Sequence, residues 1–361
     1  MPTNTDVRLP AASSRLDNVA LYVPPAPDPS IRLKLDMNEG PEPPAALVEL
    51  ARSIEPTVIN QYPYQADLEA KIAQLHGVEA SRVVCGAGLD DILCRLAQAY
   101  AEPGRRVVIS RPTFAMINHY LELSKCDVAE ADWWEGGIPI EQTLEAINDE
   151  TVMVFAVTPN NPTGLVASPE DLRRLSDRLA EVGGLLCVDT AYGEFADRDL
   201  TEAVLALPNA CLLKTFSKAW GMAGLRVGYG ICPDPVAHEL RKLGQPFPVT
   251  SASAAIALRW LDEGRDHVRR TVDRVRHERS AMAELIKKLG GEPLPGQANF
   301  VLSRFESTER AAWFADSLRK RGVATRRYTR PEQLNACVRI TCPGSHDAFE
   351  QLALELKELA L

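Results

Sequence analysis

Three things are scarce in this 361-residue chain, and each scarcity removes a class of function. Positive charge is in deficit: 40 Lys and Arg against 49 Asp and Glu leave a net charge of -9. That argues against a nucleic-acid partner, because a phosphate backbone is bound through a basic surface. Histidine is rare, six in all and scattered, with no CxxC pair and no HExxH run, so a protein-built zinc site has little support. Long apolar runs are missing too. None approaches the ~20 residues that span a bilayer, and the polar, proline-containing start from Met1 to Ser14 lacks the apolar core of a signal peptide. The expectation is a cytoplasmic protein with no membrane partner.

What is present is an ordinary globular composition, 45% hydrophobic and 25% charged, long enough for about two domains. The eight cysteines include several inside apolar runs, such as Leu185-Leu186-Cys187-Val188, and are expected as buried reduced thiols. From about residue 80 to 245, short β-rich runs alternate with amphipathic stretches, the pattern of a mostly parallel sheet with helices on both faces, an α/β fold. Strands are expected at 82–85, 106–110, 151–157, 185–189, 210–215 and 227–232, and helices at 90–101, 141–148 and 169–182. The last has Ser168 as N-cap and Pro169 at its first position. A long helical stretch, 253–289, leads into a smaller α+β unit reading strand, helix, strand, strand, helix. The expected division is an N-terminal arm (1–44), a large domain (45–250) and a small C-terminal domain (251–361).

Ligands of open α/β sheets gather at the carboxyl ends of the strands. One such end carries Lys214-Thr215-Phe216-Ser217-Lys218-Ala219-Trp220-Gly221-Met222-Ala223-Gly224-Leu225-Arg226. A lysine in a small-residue turn after an apolar run can carry an aldehyde cofactor if desolvation lets its amine be neutral. The same segment also reads as an ordinary solvated loop. Gly86-Ala87-Gly88-Leu89-Asp90-Asp91 is a glycine turn into a helix, able to cradle a phosphate or simply to turn; it matches neither the Walker pattern nor GxGxxG. Phe114 could stack on a flat ring or belong to the core. Thr158-Pro159-Asn160-Asn161-Pro162-Thr163-Gly164 offers an amide within a tight turn. Cys187-Val188-Asp189-Thr190-Ala191-Tyr192 places an acid after four apolar residues, costly to bury without a cation; a protonated pyridine or a structural arginine would supply one.

Taken in order, these segments resemble the fold-type-I pyridoxal-phosphate enzymes and, within them, the histidinol-phosphate aminotransferases. The resemblance runs from about Leu16 to the C-terminus. It includes Leu16-Asp17-Asn18, Tyr22-Val23-Pro24, Leu35-Asp36-Met37-Asn38-Glu39-Gly40-Pro41 and Gln61-Tyr62-Pro63. It implies a seven-stranded-type sheet and pyridoxal 5'-phosphate as cofactor. Lys218 would form the Schiff base and shuttle a proton, Asp189 would hold the pyridine nitrogen, Asn161 and Tyr192 the ring oxygen, and Phe114 would stack on the ring. Gly88, Leu89, Asp90, Ser217 and Arg226 would hold the phosphate. Tyr62 would reach the cofactor phosphate of a neighbouring subunit, which implies a homodimer with shared sites. Tyr22, Asn38, Arg326 and Arg339 would contact substrate. Three positions depart from the family pattern: Leu89 stands where serine or alanine is usual, Gly40 where asparagine is frequent, and Arg327 where an acid is common.

The function expected is transfer of an amino group between an amino donor, L-histidinol phosphate first, and 2-oxoglutarate. A transaminase for another amino acid, aromatic ones included, and a lyase or decarboxylase using the same cofactor are the competing readings. A non-catalytic regulator ranks below these, because the chain has no spare segment for a DNA-binding domain.

Overall fold

The computed structural model describes residues 10–17, 19–23 and 26–359; Asn18 and Pro24 of the arm motifs lie outside the described residues, as do 1–9 and 360–361 of the outer units. After the short strand β1 (Leu33–Lys34), seven strands form one sheet: β2 (Val83–Ala87), β3 (Arg106–Arg111), β4 (Asp127–Asp132), β5 (Thr151–Val157), β6 (Leu185–Asp189), β7 (Ala210–Thr215) and β8 (Val227–Ile231). Their order is β2-β8-β7-β6-β5-β3-β4, with β8 alone antiparallel to its neighbours.

Both faces of this sheet are covered, and alternation along each strand divides its side chains between two cores. Val83, Val154, Ala156, Leu186, Val188 and Leu212 enter one core; Val84, Met153, Phe155, Val157, Cys187, Cys211 and Leu213 enter the other. The helix Pro169–Val182 starts on its expected cap, with the Asp171 amide donating to Ser168 Oγ at 3.1 Å, and ends at Gly183 with φ 75°. All eight cysteines are free thiols.

Several elements were not among those expected from the sequence, including the helices Ala45–Arg52, Ala66–His76 and Asp234–Leu243 and two elements that follow β3. Strand β4 reads Asp-Val-Ala-Glu-Ala-Asp, poor in β-formers. It is held at the sheet edge by charge: Arg106 faces Asp127 and Arg111 faces Asp132 in register, with Nε–O distances of 2.6 and 2.9 Å. The helix Ala115–Ser124 begins at Phe114 with no side-chain cap. The long stretch expected over 253–289 is two helices, Ser251–Glu263 and Arg265–Lys287, separated at Gly264, where a Cβ would meet Trp260 Cε2 at 2.5 Å. The first packs into the large sheet's core through Ile256, Ala257 and Trp260.

The second sheet joins β9 (Glu292–Pro293), β10 (Phe300–Arg304), β12 (Arg326–Arg327) and β13 (Cys337–Thr341) in the order β12-β13-β10-β9, all antiparallel. Strand β11 (Val323–Ala324) pairs in parallel with β1, so the leading segment is part of this unit, and Leu33 and Leu35 enter its core. That core also takes Tyr192, Phe195 and Ala219 from the large sheet's loops, which locks the two units together beside the strand ends.

Candidate active site

The carboxyl ends of β2, β5, β6 and β7 converge, and the loop after each brings one kind of chemistry. After β2, Gly88 has φ 79° and caps the helix Leu89–Tyr100. Its missing side chain matters, because a Cβ there would strike the Arg226 guanidinium. Gly228 on β8 is equally constrained: a Cβ would lie 2.5 Å from the Leu89 nitrogen and 2.7 Å from the Gly88 carbonyl carbon. The chain thus packs backbone on backbone at a helix N-terminus, where unpaired amides and the helix dipole favour an anion. Arg226, itself at φ 50°, extends over this turn, donating to Asp90 Oδ2 at 3.0 Å and Ser217 Oγ at 3.4 Å. Leu89 is buried in the core, so it offers the turn its backbone amide and nothing from its side chain.

After β6, Asp189 is 3% exposed and accepts one hydrogen bond through its carboxylate, from the Ala191 amide at 2.9 Å. It makes no ion pair among the described residues. Burial pushes its pKa up from 3.8 to about 7, with Asp90 adding to the rise. After β7, Lys218 is pushed the other way, down to about 8, first by burial and then by the Arg339 guanidinium. Its Nζ donates to the Met37 carbonyl at 3.3 Å and lies 5.7 Å from the centre of the Tyr192 ring. An acid and an amine both displaced toward neutrality on adjacent strand ends mark a candidate functional site.

Between the sheets stands a polar network. The Tyr192 hydroxyl accepts from Asn38 Nδ2 at 2.9 Å and from Asn161 Nδ2 at 3.4 Å, and burial raises its pKa to about 12. Arg339 donates from Nη1 to Asn161 Oδ1 at 2.6 Å and from Nη2 to the Asp36 carbonyl at 2.8 Å. Asn160, which sequence reasoning passed over, ties two loops together: Nδ2 donates to the Pro112 carbonyl at 2.8 Å, and Oδ1 accepts from Thr113. The adjacent Asn-Asn pair was the available signal, one amide for the scaffold and the next for the site.

The structure therefore gathers Gly88, Asp90, Ser217, Arg226, Asp189, Lys218, Tyr192, Asn161, Asn38 and Arg339. Asn38, expected at the substrate, spends its side chain on Tyr192 and Thr341. Gly40 sits against the lysine turn, where a Cβ would lie 3.2 Å from the Lys218 carbonyl oxygen. Phe114 is partly buried against the core at the head of its helix. Arg326 lies opposite Arg339 in the β12–β13 register, 5.9 Å from the Tyr328 ring. Two residues stand apart from the network. Tyr22 is 47% exposed, and Tyr62 is 81% exposed and stacked on Phe247 at 4.5 Å. Among the described residues no group of three or more His, Cys, Asp or Glu could hold a metal ion, and no helix is long and apolar enough to cross a membrane.

Comparison with known proteins places this geometry. Histidinol-phosphate aminotransferase from Dehalococcoides mccartyi is 33% identical over 325 residues, covering 87% of each chain. That from Roseiflexus castenholzii is 34% identical over 342 residues, covering 91% of this chain and 90% of its own. The crystal structure of histidinol-phosphate aminotransferase from Sinorhizobium meliloti in complex with pyridoxal-5'-phosphate superposes with a TM-score of 0.84 at 25% identity, over 97% of this chain and 98% of the other. A tetra mutant of the aspartate aminotransferase of Thermus thermophilus shares the fold, with a TM-score of 0.80 at 20% identity. Residues 32–355 match the profile of the class I and II aminotransferases, and the chain belongs to that family.

Proposed function

We propose that this chain is a pyridoxal-phosphate-dependent transaminase that takes its amino group from L-histidinol phosphate and passes it to 2-oxoglutarate. The observation that carries the reading is the Asp189–Lys218 pairing: a buried carboxyl without a cation, one strand away from an amine poised near pH 8. The residues fit the cofactor. Asp189 lacks the positive partner that a protonated pyridine nitrogen would be, and the glycine-lined helix start under Arg226 suits a phosphate. Bound there, pyridoxal phosphate supplies an aldehyde and an electron-withdrawing ring that accepts charge from the substrate's Cα.

The protein's own residues do the rest. Lys218, free to be neutral, would hold the aldehyde carbon and, once the incoming amine displaces it, would take and return the Cα proton. Asp189 would keep the ring nitrogen protonated, and Tyr192 with Asn161 would hold the ring oxygen. Arg339, held by Asn161 and the Asp36 carbonyl, would offer its remaining N–H groups, Nε among them, to the acceptor's carboxylate. Arg326, opposite it in the register, adds charge for the donor's phosphate, and the names borne by the relatives support that donor. A homodimer follows the same reading. Ile59, Tyr62 and Tyr64 are each more than three-quarters exposed, an apolar cluster suited to a second copy whose site Tyr62 would complete.

The test is single-turnover spectroscopy of the loaded enzyme. L-Histidinol phosphate should convert the bound cofactor to its amine form, and 2-oxoglutarate should reverse the change with stoichiometric glutamate. No conversion by L-histidinol phosphate, with carbon dioxide released instead from an α-amino acid of a substrate panel, would replace the transaminase with a decarboxylase.

A further inference from the structure

Two side-chain amides meet at the Tyr192 oxygen, and in both the orientation is fixed by a donor at the far end. Arg339 Nη1 occupies Asn161 Oδ1, which leaves Asn161 Nδ2 for Tyr192. For Asn38 the fixing group is Thr341. Its hydroxyl accepts from the Asn38 backbone amide at 3.0 Å, so its own proton goes to Asn38 Oδ1 at 3.1 Å. Asn38 Nδ2 then faces Tyr192. The backbone there is equally pinned, with φ 56° and the Asn38 carbonyl accepting from Asn299 Nδ2 at 3.2 Å. A phenol oxygen that already accepts two N–H bonds has one remaining capacity, to donate.

We propose that Asn38, oriented by Thr341, is a positioning residue that makes Tyr192 an obligate hydrogen-bond donor into the site, and that it does not bind substrate. The inference rests on the cofactor reading above, in which Tyr192 holds the ring oxygen. It also links the arm to the cofactor, since Arg339 and Lys218 hold the carbonyls of Asp36 and Met37 in the same segment.

The test is the pH titration of the bound cofactor's visible absorbance in the holoenzyme. Asn38→Asp keeps the shape but turns a donor into an acceptor, so the Tyr192 proton is drawn away from the ring oxygen. A negatively charged oxygen that loses its donor holds the neighbouring proton more tightly. The spectral pKa should therefore rise by about one unit, with kcat falling while KM for both substrates stays within about threefold. Thr341→Val, which frees the amide without touching Tyr192, should move the pKa the same way by less, and keeps the proposal testable if the aspartate variant does not fold. An unshifted pKa in folded variants, or a rise in KM alone, overturns the proposal. A wild-type protein with no pH-dependent band at Lys218 would instead sink the cofactor reading.

Discussion

The two sides of this site are built differently. On the cofactor side, Gly88, Asn161, Asp189, Ser217 and Lys218 each follow a strand of one sheet, and neighbouring strands in perfect register fix their spacing. On the substrate side, the two-residue edge strand β12 and the turn after it supply Arg326, Arg327 and Tyr328. Buried polar atoms with no partner among the described residues collect there: Thr325 Oγ1, Arg327 Nε, Tyr328 Oη and Arg339 Nε. Such atoms cost free energy unless a ligand or a small rearrangement satisfies them. On the reading proposed above, the cofactor side would be preorganised by the fold and the substrate side completed by what binds, which is where specificity can change without disturbing the sheet.

Substitutions on the two sides should separate these roles. The largest effect is expected from Asp189→Asn. A charge pair at ~4 Å in an effective dielectric near 20 contributes about 4 kcal/mol. Steady-state kinetics should therefore show kcat/KM down by about 10³ for every amino donor alike. Arg326→Ala should act selectively, raising KM for histidinol phosphate about tenfold, the size of one charge-assisted hydrogen bond, with little change for 2-oxoglutarate. Equal losses for both substrates would erase the distinction between the two sides.

A third effect concerns stability without cofactor. Asp189 has its pKa raised in the folded protein, so the stability it contributes is full below about pH 4 and is lost as pH climbs through about 7. Thermal unfolding of the apo-protein should fall across that interval relative to Asp189→Asn. Cofactor binding should remove the difference by supplying the missing cation.

Sequence legibility follows the same division. Strands β5, β6 and β7 and the helix Pro169–Val182 were readable to the residue, because buried parallel strands are unbroken apolar runs and the helix carries its own cap. The acid, amide and lysine at their ends were readable as candidates because each adjoins its strand in sequence. Strand β4 was not, since arginines of β3 hold it in place of its own β-propensity. The Asn38–Thr341 contact, 303 residues apart in sequence, exists only once β1 joins the small domain. Even so, alternation along Val338-Arg339-Ile340-Thr341 puts Thr341 on the face that carries Arg339. Glycines 88 and 228 were informative as a pair only after β2 and β8 were aligned, Gly88 directly following the strand that β8 accompanies.

Lys218, buried beside Arg339, is the amine proposed to react with the cofactor. Apo-protein treated with pyridoxal phosphate, reduced with borohydride and mapped by peptide mass spectrometry tests it directly. One label per chain on Lys218, forming at a rate that rises through about pH 8, is the predicted result. Label on any other lysine, or an undiminished yield in Lys218→Ala, would contradict the account.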